Sequence, residues 1–74
     1  MQPPKVLDCR GLEPPEPLEC VLEAISRLGA DEQVLMLIDR EPRPLYRILR
    51  ENRYDFRTEL NERGWFEVLI WRSP

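Results

Sequence analysis

Residues 7–17, LDCRGLEPPEP, decide the fold because they join the end of a strand to the start of a helix. Val6 to Arg10 is predicted to be a short strand, with Leu7 and Cys9 on one face and Asp8 and Arg10 on the other. Gly11 ends that strand. The prolines that follow suit the first turn of a helix, where a missing backbone N–H leaves no helical hydrogen bond unmade. Glu16 adds negative charge where the helix dipole favours it.

An amphipathic helix and a central strand follow. One apolar stripe recurs at helical spacing and is formed by Leu18, Val21, Leu22, Ile25 and Leu28. Gly29 is predicted to stop this helix, as glycine commonly does at a C-terminus. Residues 33–38 are nearly all apolar, which predicts a strand covered on at least one face.

The second half of the chain predicts a short helix and a hairpin. Two prolines interrupt residues 39–44, and the apolar pattern of residues 45–52 then indicates the helix. Residues 54–60 alternate with a period of two, as a half-buried strand does. Asn61 to Gly64 is predicted to be a hairpin connection, and Trp65 to Arg72 is predicted to be the last strand.

The predicted order is therefore β-α-β-α-β-β, in a single domain over residues 1–74 with a flexible tail at residues 1–4. Each helix needs an apolar surface to cover, so two helices share one face of a four-stranded mixed sheet. The fold class is an α/β (α+β) two-layer sandwich. Strands one and two are parallel because crossovers are right-handed, and the hairpin strands are antiparallel. No helix remains to cover the other sheet face.

The composition excludes several classes of function. Apolar residues make up 42% and charged residues 34%, which is typical of a globular domain. The longest apolar run, residues 34–38, is too short to cross a membrane, and residues 1–5 do not resemble a signal peptide. We therefore expect a cytoplasmic protein that does not bind a membrane. The chain has no histidine, so a Ser-His-Asp hydrolase is excluded.

The two cysteines, Cys9 and Cys20, are too few for a disulfide framework and too far apart in sequence for a redox or zinc pair. We expect reduced thiols, no metal and no cofactor. Charge is uneven: residues 1–38 carry three basic and seven acidic side chains, and residues 39–57 carry six arginines and four acids. The net charge of −3 argues against nucleic acid as a partner.

Part of the opening stretch resembles the TusA family of small sulfur-transfer proteins. The TusA signature is a Gly-Leu pair, one variable residue, and then Cys-Pro-x-Pro at the start of the first helix. Gly11, Leu12, Pro15 and Pro17 match it, and the resemblance implies the same β-α-β-α-β-β fold over the whole chain. Pro14 stands in place of the reactive cysteine, whose thiolate a helix N-terminus would stabilise. The resemblance thus supports the architecture and argues against TusA chemistry.

A second resemblance is closer. Residues 39–46, DREPRPLY, together with residues 12–17, LEPPEP, are similar to an uncharacterised TusA-like family of unknown function. Members of that family occur alone or beside other domains in bacterial proteins, which implies a bacterial source. The resemblance supplies no mechanism.

Both proline-rich connections follow the carboxyl ends of strands one and two, which end side by side. Ligands of open α/β sheets bind at such ends. The sequence therefore predicts a ligand or partner rim formed by Arg10, Glu13, Glu16, Asp39, Arg40 and Arg43. The alternative is that Arg10 pairs with Asp39 or Glu16 and merely holds two loops together.

The second helix offers another candidate surface. A basic face at positions i, i+4 and i+7 is formed by Arg43, Arg47 and Arg50. Arginine suits an anion or an acidic protein there. The alternative is a solvated face balanced by Glu41 and Glu51. Tyr46 is predicted to be an aromatic at the edge of the core rather than a ligand contact.

Trp65, Leu69 and Trp71 share one face of the last strand, and if that face is the one without a helix, they form a candidate open-face patch. Such apolar patches mark interfaces, so one hypothesis is a homodimer closed through this face. The alternative is that long side chains such as Arg57 cover the indoles. We expect a monomer or a weak homodimer.

The favoured functional hypothesis is a non-catalytic binding or adaptor module that engages a protein or a small anionic ligand, and not an enzyme. The alternative is a sulfur-relay protein that carries a persulfide on Cys9 or Cys20. Cys9 shares the apolar face of the first strand, and Cys20 lies in the body of the first helix, away from its N-terminal dipole. Neither position favours a reactive thiol.

Overall fold

A computed structural model describes residues 2–74. The elements are β1 (Lys5–Asp8), α1 (Glu16–Ser26), β2 (Gln33–Ile38), α2 (Arg43–Glu51), β3 (Tyr54–Leu60) and β4 (Phe66–Arg72). The predicted β-α-β-α-β-β order and the α+β fold class are confirmed. The tail predicted at residues 1–4 lies partly outside the described residues, and residues 2–4 carry no helix or strand.

The four strands form one mixed sheet in the order β1-β2-β4-β3. β1 and β2 are parallel, as predicted, and β4 is antiparallel to both of its neighbours. The register places Leu7 opposite Met36, Met36 opposite Val68 and Val68 opposite Thr58. One row of side chains thus crosses all four strands on a single face of the sheet.

Both helices cover that face. The buried core residues are Cys9, Val21, Ile25, Leu28, Val34, Met36, Leu45, Leu49, Val68 and Ile70. They include alternate residues of β2 and β4, as the period of two requires. Burial of these apolar side chains is the main force holding so small a domain together. No polar or charged side chain is fully buried among residues 2–74.

α1 begins as predicted and ends earlier than predicted. It starts at Glu16, directly after Pro15, with Pro17 in its first turn. It ends at Ser26, so the prediction that Gly29 stops the helix is wrong. The Arg27 N–H closes the helix by bonding to the carbonyl of Ala24 at 3.3 Å. Leu28 lies beyond the helix and still packs in the core.

Gly29 has a different role in the connection to β2. Its N–H donates to Oε1 of Glu32 at 2.7 Å, and Lys5 forms an ion pair with the same carboxylate at 3.1 Å. The hydrogen bond from Gly29, and then Lys5, lower the pKa of Glu32. A charge-assisted hydrogen bond therefore stabilises the turn between α1 and β2. Gly29 does not adopt the left-handed backbone conformation of a glycine that ends a helix.

α2 begins at Arg43, two residues before the predicted start, because Pro44 is accepted at the second helical position. Its Tyr46 ring stacks on Phe56 of β3, with ring centroids 4.6 Å apart. The Tyr46 hydroxyl and Oγ1 of Thr58 are 2.8 Å apart. Tyr46 is thus an aromatic at the edge of the core, as predicted, and it ties α2 to β3.

Two strands have slightly different bounds from the prediction. β1 spans Lys5–Asp8 rather than 6–10, because the turn that leads to Gly11 begins directly after the last paired residue. β4 begins at Phe66, so the hairpin connection spans residues 61–65. The N–H of Asn61 bonds to the carbonyl of Trp65 at 2.7 Å and closes this loop. Within residues 2–74, no helix has the length and apolar content needed to span a membrane.

Candidate functional site

Two adjoining cavities open where β1 and β2 end, and together we call them the strand-end cleft. One, which we call the polar cavity because it contains charged residues of the two connections, has a volume of about 580 Å³ and is lined by Gly11, Leu12, Glu13, Pro14, Pro17, Ile38, Asp39 and Arg40. The apolar cavity has a volume of about 340 Å³ and is lined by Pro14, Pro15, Pro17, Leu18, Val21, Met36, Ile38, Arg40, Glu41, Pro42, Pro44 and Leu45. Both volumes are within the range of ligand pockets.

Prolines form much of the wall of the apolar cavity. They stand at the start of both helices, at Pro14, Pro15, Pro17, Pro42 and Pro44. Each lacks a backbone N–H, so the helix starts have fewer of the donors that usually bind anions. Two of the remaining donors bond within the chain: the Glu16 N–H to the Glu13 carbonyl at 2.9 Å, and the Arg43 N–H to the Glu41 carbonyl at 2.9 Å.

Asp39 holds the two strand-end connections together. Its Oδ2 accepts a hydrogen bond from the N–H of Gly11 at 2.6 Å. Gly11 has a φ of +80°, in the left-handed region that side chains with a Cβ disfavour. The turn conformation at Gly11 thus aims an N–H at a carboxylate 28 residues further along the chain.

The charges that line the cleft are mostly negative. Three carboxylates line it, those of Glu13, Asp39 and Glu41, with one guanidinium, that of Arg40. Glu41 is already engaged, because Arg43 donates to it at 3.1 Å and the Tyr46 hydroxyl donates at 3.1 Å. Neither Glu13 nor Arg40 forms an ion pair with another residue in the range 2–74.

The structure brings together only part of the predicted rim. Glu13, Asp39 and Arg40 line the cleft. Glu16 and Arg43 are the first residues of α1 and α2, and neither lines the strand-end cleft. The remaining predicted residue, Arg10, lies at the open face of the sheet and not in the cleft.

Arg10 pairs with Asp8 and not with Asp39 or Glu16, so the alternative of a loop-to-loop ion pair is wrong. Its Nε and Nη2 donate to the two oxygens of Asp8 at 2.9 and 2.8 Å. These hydrogen bonds lower the pKa of Asp8 to about 2. The guanidinium also lies over the ring of Trp65, 4.4 Å from its centroid. The pair is local because the two side chains are only two residues apart and both face the open side.

Side chains cover part of the open-face patch. Trp65, Leu69 and Trp71 are each half-buried. Arg10 covers Trp65, whose Nε1–H donates to Glu67 at 3.3 Å. The indole is therefore covered by a long side chain, but by Arg10 rather than by Arg57, which pairs with Glu59 at 3.5 Å. The homodimer through this face stays a prediction.

The basic face of α2 is internally balanced. Arg43 pairs with Glu41 at 3.1 Å, and Arg47 pairs with Glu51 at 3.5 Å. Arg50 lies over Phe56, 5.3 Å from the ring centroid. Because these pairs are on the exposed surface, each contributes little to stability. The basic face therefore agrees with the alternative of a solvated face whose charges are balanced by Glu41 and Glu51.

The two thiols lie away from the cleft lining. Cys9 is buried, with 1% of its surface exposed, and burial raises its pKa to about 11. Cys20 is half-buried on α1. A thiol is nucleophilic as a thiolate, so the raised pKa of Cys9 disfavours its reaction near neutral pH. Among residues 2–74, no group of three metal-ligating side chains is placed to hold a metal ion.

The apolar wall of the cleft was not predicted as a site. It is lined by Leu18, Ile38, Pro42 and Pro44, whose sequence pattern predicts only core positions or the breaks before helices. The signal for this wall is the pair of proline-rich segments that start both helices at the same edge of the sheet. Parallel strands bring those segments together, and rigid rings that cannot donate hydrogen bonds leave an apolar gap between them.

The fold and the cleft define a small α+β domain with a proline-walled cavity at its strand ends. The chain belongs to the family described as uncharacterized conserved protein (DUF2249), whose model matches residues 6–72. No curated protein and no solved structure matches the chain. The family match confirms the expected membership of an uncharacterised family, and the kinship with TusA stays a prediction.

Proposed function

We propose that this domain is a non-catalytic binding module that holds a segment of a partner protein in the strand-end cleft. The observation that carries the proposal is the apolar cavity of about 340 Å³ with prolines from both helix starts in its wall. Rigid walls lose little conformational entropy when a ligand binds, because proline rings have few accessible conformations. A groove of this kind suits an apolar side chain of a peptide.

A partner protein fits the cleft better than a small anion. The prolines remove N–H donors from the two helix starts, and the donors at Glu16 and Arg43 are used within the chain. The lining carries three carboxylates and a single guanidinium. An anion would therefore meet repulsion from the carboxylates and few donors. The small anionic ligand is the weaker of the two ligand classes considered.

The chemistry of the lining supports a role without catalysis. No cysteine, serine, threonine or lysine lines either cavity, and the chain has no histidine. The position that resembles the TusA cysteine is Pro14, which has no nucleophile. The Cys9 thiol is buried with a raised pKa, so it is poorly suited to accept sulfur. Nothing in the geometry favours the sulfur-relay alternative.

The test is selection of peptides from a random library on the intact domain, followed by affinity measurement on two variants. Pro44→Glu places a charge at the mouth of the apolar cavity, and it suits the first turn of α2, where the helix dipole favours an acid. Pro3→Glu is the matched control, since Pro3 is exposed and precedes β1.

We expect selected peptides to lose about tenfold or more in affinity, roughly 1.4 kcal/mol, on Pro44→Glu and to keep their affinity on Pro3→Glu. Circular dichroism shows whether each variant is folded. Selected peptides that bind Pro44→Glu as tightly as the unmodified domain would contradict the proposal, because their site would then lie elsewhere.

A further inference from the structure

The two cavities of the strand-end cleft are parts of one site. They share Pro14, Pro17, Ile38 and Arg40 in their linings. An occupant of the apolar cavity therefore lies beside an occupant of the polar cavity. In a peptide, two side chains that are close in sequence can fill both cavities together.

The polar cavity offers unused acceptors. Asp39 uses Oδ2 to accept the Gly11 N–H, and its Oδ1 accepts no hydrogen bond from residues 2–74. The carboxylate of Glu13 has no hydrogen-bond or ion-pair partner in the same range, although it lines the cavity. Oxygen acceptors of this kind are the natural partners of an ammonium or a guanidinium.

Charge complementarity favours the same occupant. Three carboxylates and one guanidinium line the cleft, and the whole chain carries a net charge of −3. A cationic segment is therefore attracted both by the lining and by the field of the domain. The opposing element is Arg40, the single cation of the lining, which disfavours a basic side chain placed beside it.

We propose that the cleft recognises a peptide segment in which an apolar anchor side chain lies next to a lysine or an arginine. The anchor fills the apolar cavity, and the basic side chain enters the polar cavity, where Glu13 and Asp39 accept its hydrogen bonds. The proposal rests on the proposed function, and it adds the chemistry of the partner.

The test uses three synthetic peptides that differ only in the charge beside a phenylalanine anchor. They are acetyl-Gly-Lys-Phe-Lys-Gly-amide and its analogues with glutamine or glutamate in place of both lysines. Binding is followed by the NMR shifts of the Ile38 and Arg40 amides in the full domain. A second set with a leucine anchor covers the case of an aliphatic side chain.

We expect the lysine peptide to bind about threefold to tenfold more tightly than the glutamine peptide, with the glutamate peptide weakest. Glu13→Gln should lower the affinity for the lysine peptide about threefold, whereas Glu19→Gln should leave it unchanged. Glu19 is the matched control because it lies in the first turn of α1, outside both cavities. The two variants change the net charge equally, so they separate the cleft from the general field.

Arg40→Gln should raise the affinity for the lysine peptide about threefold, because it removes the positive charge that repels the lysines. Equal or tighter binding of the glutamate peptide, or an equal effect of Glu13→Gln and Glu19→Gln, overturns the inference and leaves the proposed function standing. Failure of both anchor sets to bind overturns it too. The proposed function is decided separately, by the peptides that the random library yields.

Discussion

Asp39 accepts the Gly11 N–H at 2.6 Å, and this single bond joins the connections that follow β1 and β2. The two residues are 28 positions apart, so the bond has long range in sequence. Both also line the polar cavity. The contact therefore sets the spacing of the two loops that form the strand-end cleft.

Removing the carboxylate should loosen this end of the domain. Asp39→Ala should lower the free energy of unfolding by about 1 kcal/mol, because it deletes one charge-assisted hydrogen bond on an exposed surface. It should also speed hydrogen exchange of the Gly11 amide, measured by NMR. Asp39→Asn is the control, since its amide oxygen can still accept the N–H. Unchanged protection of the Gly11 amide in Asp39→Ala would show that the bond does not hold the loops.

A Cβ at Gly11 should destabilise the domain through the backbone conformation alone. Gly11 has a φ of +80°, and an added Cβ would meet no atom within 4 Å. The cost of Gly11→Ala is therefore conformational, about 1–2 kcal/mol in urea unfolding, because left-handed backbone is unfavourable for alanine. Gly11→Asn should cost less, since asparagine adopts this region more readily. An alanine variant as stable as the unmodified domain would contradict this conformation.

The Asp8–Arg10 pair predicts an acid titration. The pKa of Asp8 falls from 3.8 to about 2, chiefly through the hydrogen bonds from the Arg10 side chain. Because the folded pKa is lowered, the pair's contribution is fully present above about pH 4 and is lost as the pH falls towards 2. A carboxyl NMR titration should show this midpoint, and Arg10→Gln should return it towards 3.8. A midpoint that does not move in the variant would rule out Arg10 as the cause.

The two cysteines should differ in reactivity. Burial raises the pKa of Cys9 to about 11, whereas Cys20 is half-buried. Iodoacetamide at mildly alkaline pH should therefore alkylate Cys20 first, as read by mass spectrometry of the folded domain. Incubation with a persulfide donor should add no stoichiometric sulfur. A gain of one sulfur that Cys9→Ala or Cys20→Ala abolishes would revive the sulfur-relay alternative and contradict the non-catalytic proposal.

Local sequence patterns predicted the helices and strands. The predictions failed where contacts with other parts of the chain determine the structure. The apolar run of residues 33–38 and the alternation of residues 54–60 predicted their strands because burial imposes the period. The place of β4 between β2 and β3 depends on long-range pairing that no local pattern contains. Gly29 failed as a helix stop because its N–H bonds to Glu32 in a turn beyond the helix.

The candidate site was predictable only in its location. Parallel strands one and two predicted that their carboxyl ends would meet, and Glu13, Asp39 and Arg40 do line one cavity there. Arg10 was misplaced because a neighbouring acid on the open face, Asp8, binds it locally. The apolar wall was not predicted because a proline at a helix start indicates only where the helix begins. The proline rings form a wall only when two such segments lie side by side, and that depends on the tertiary structure.

The central claim is that the strand-end cleft holds a partner segment, and the most direct measurement is the set of intermolecular NOEs between the domain and a peptide selected from the random library. We predict contacts from the peptide's apolar side chain to Ile38 and Pro44, which line the apolar cavity. Contacts instead to Leu69 and Trp71 on the open face of the sheet would contradict it.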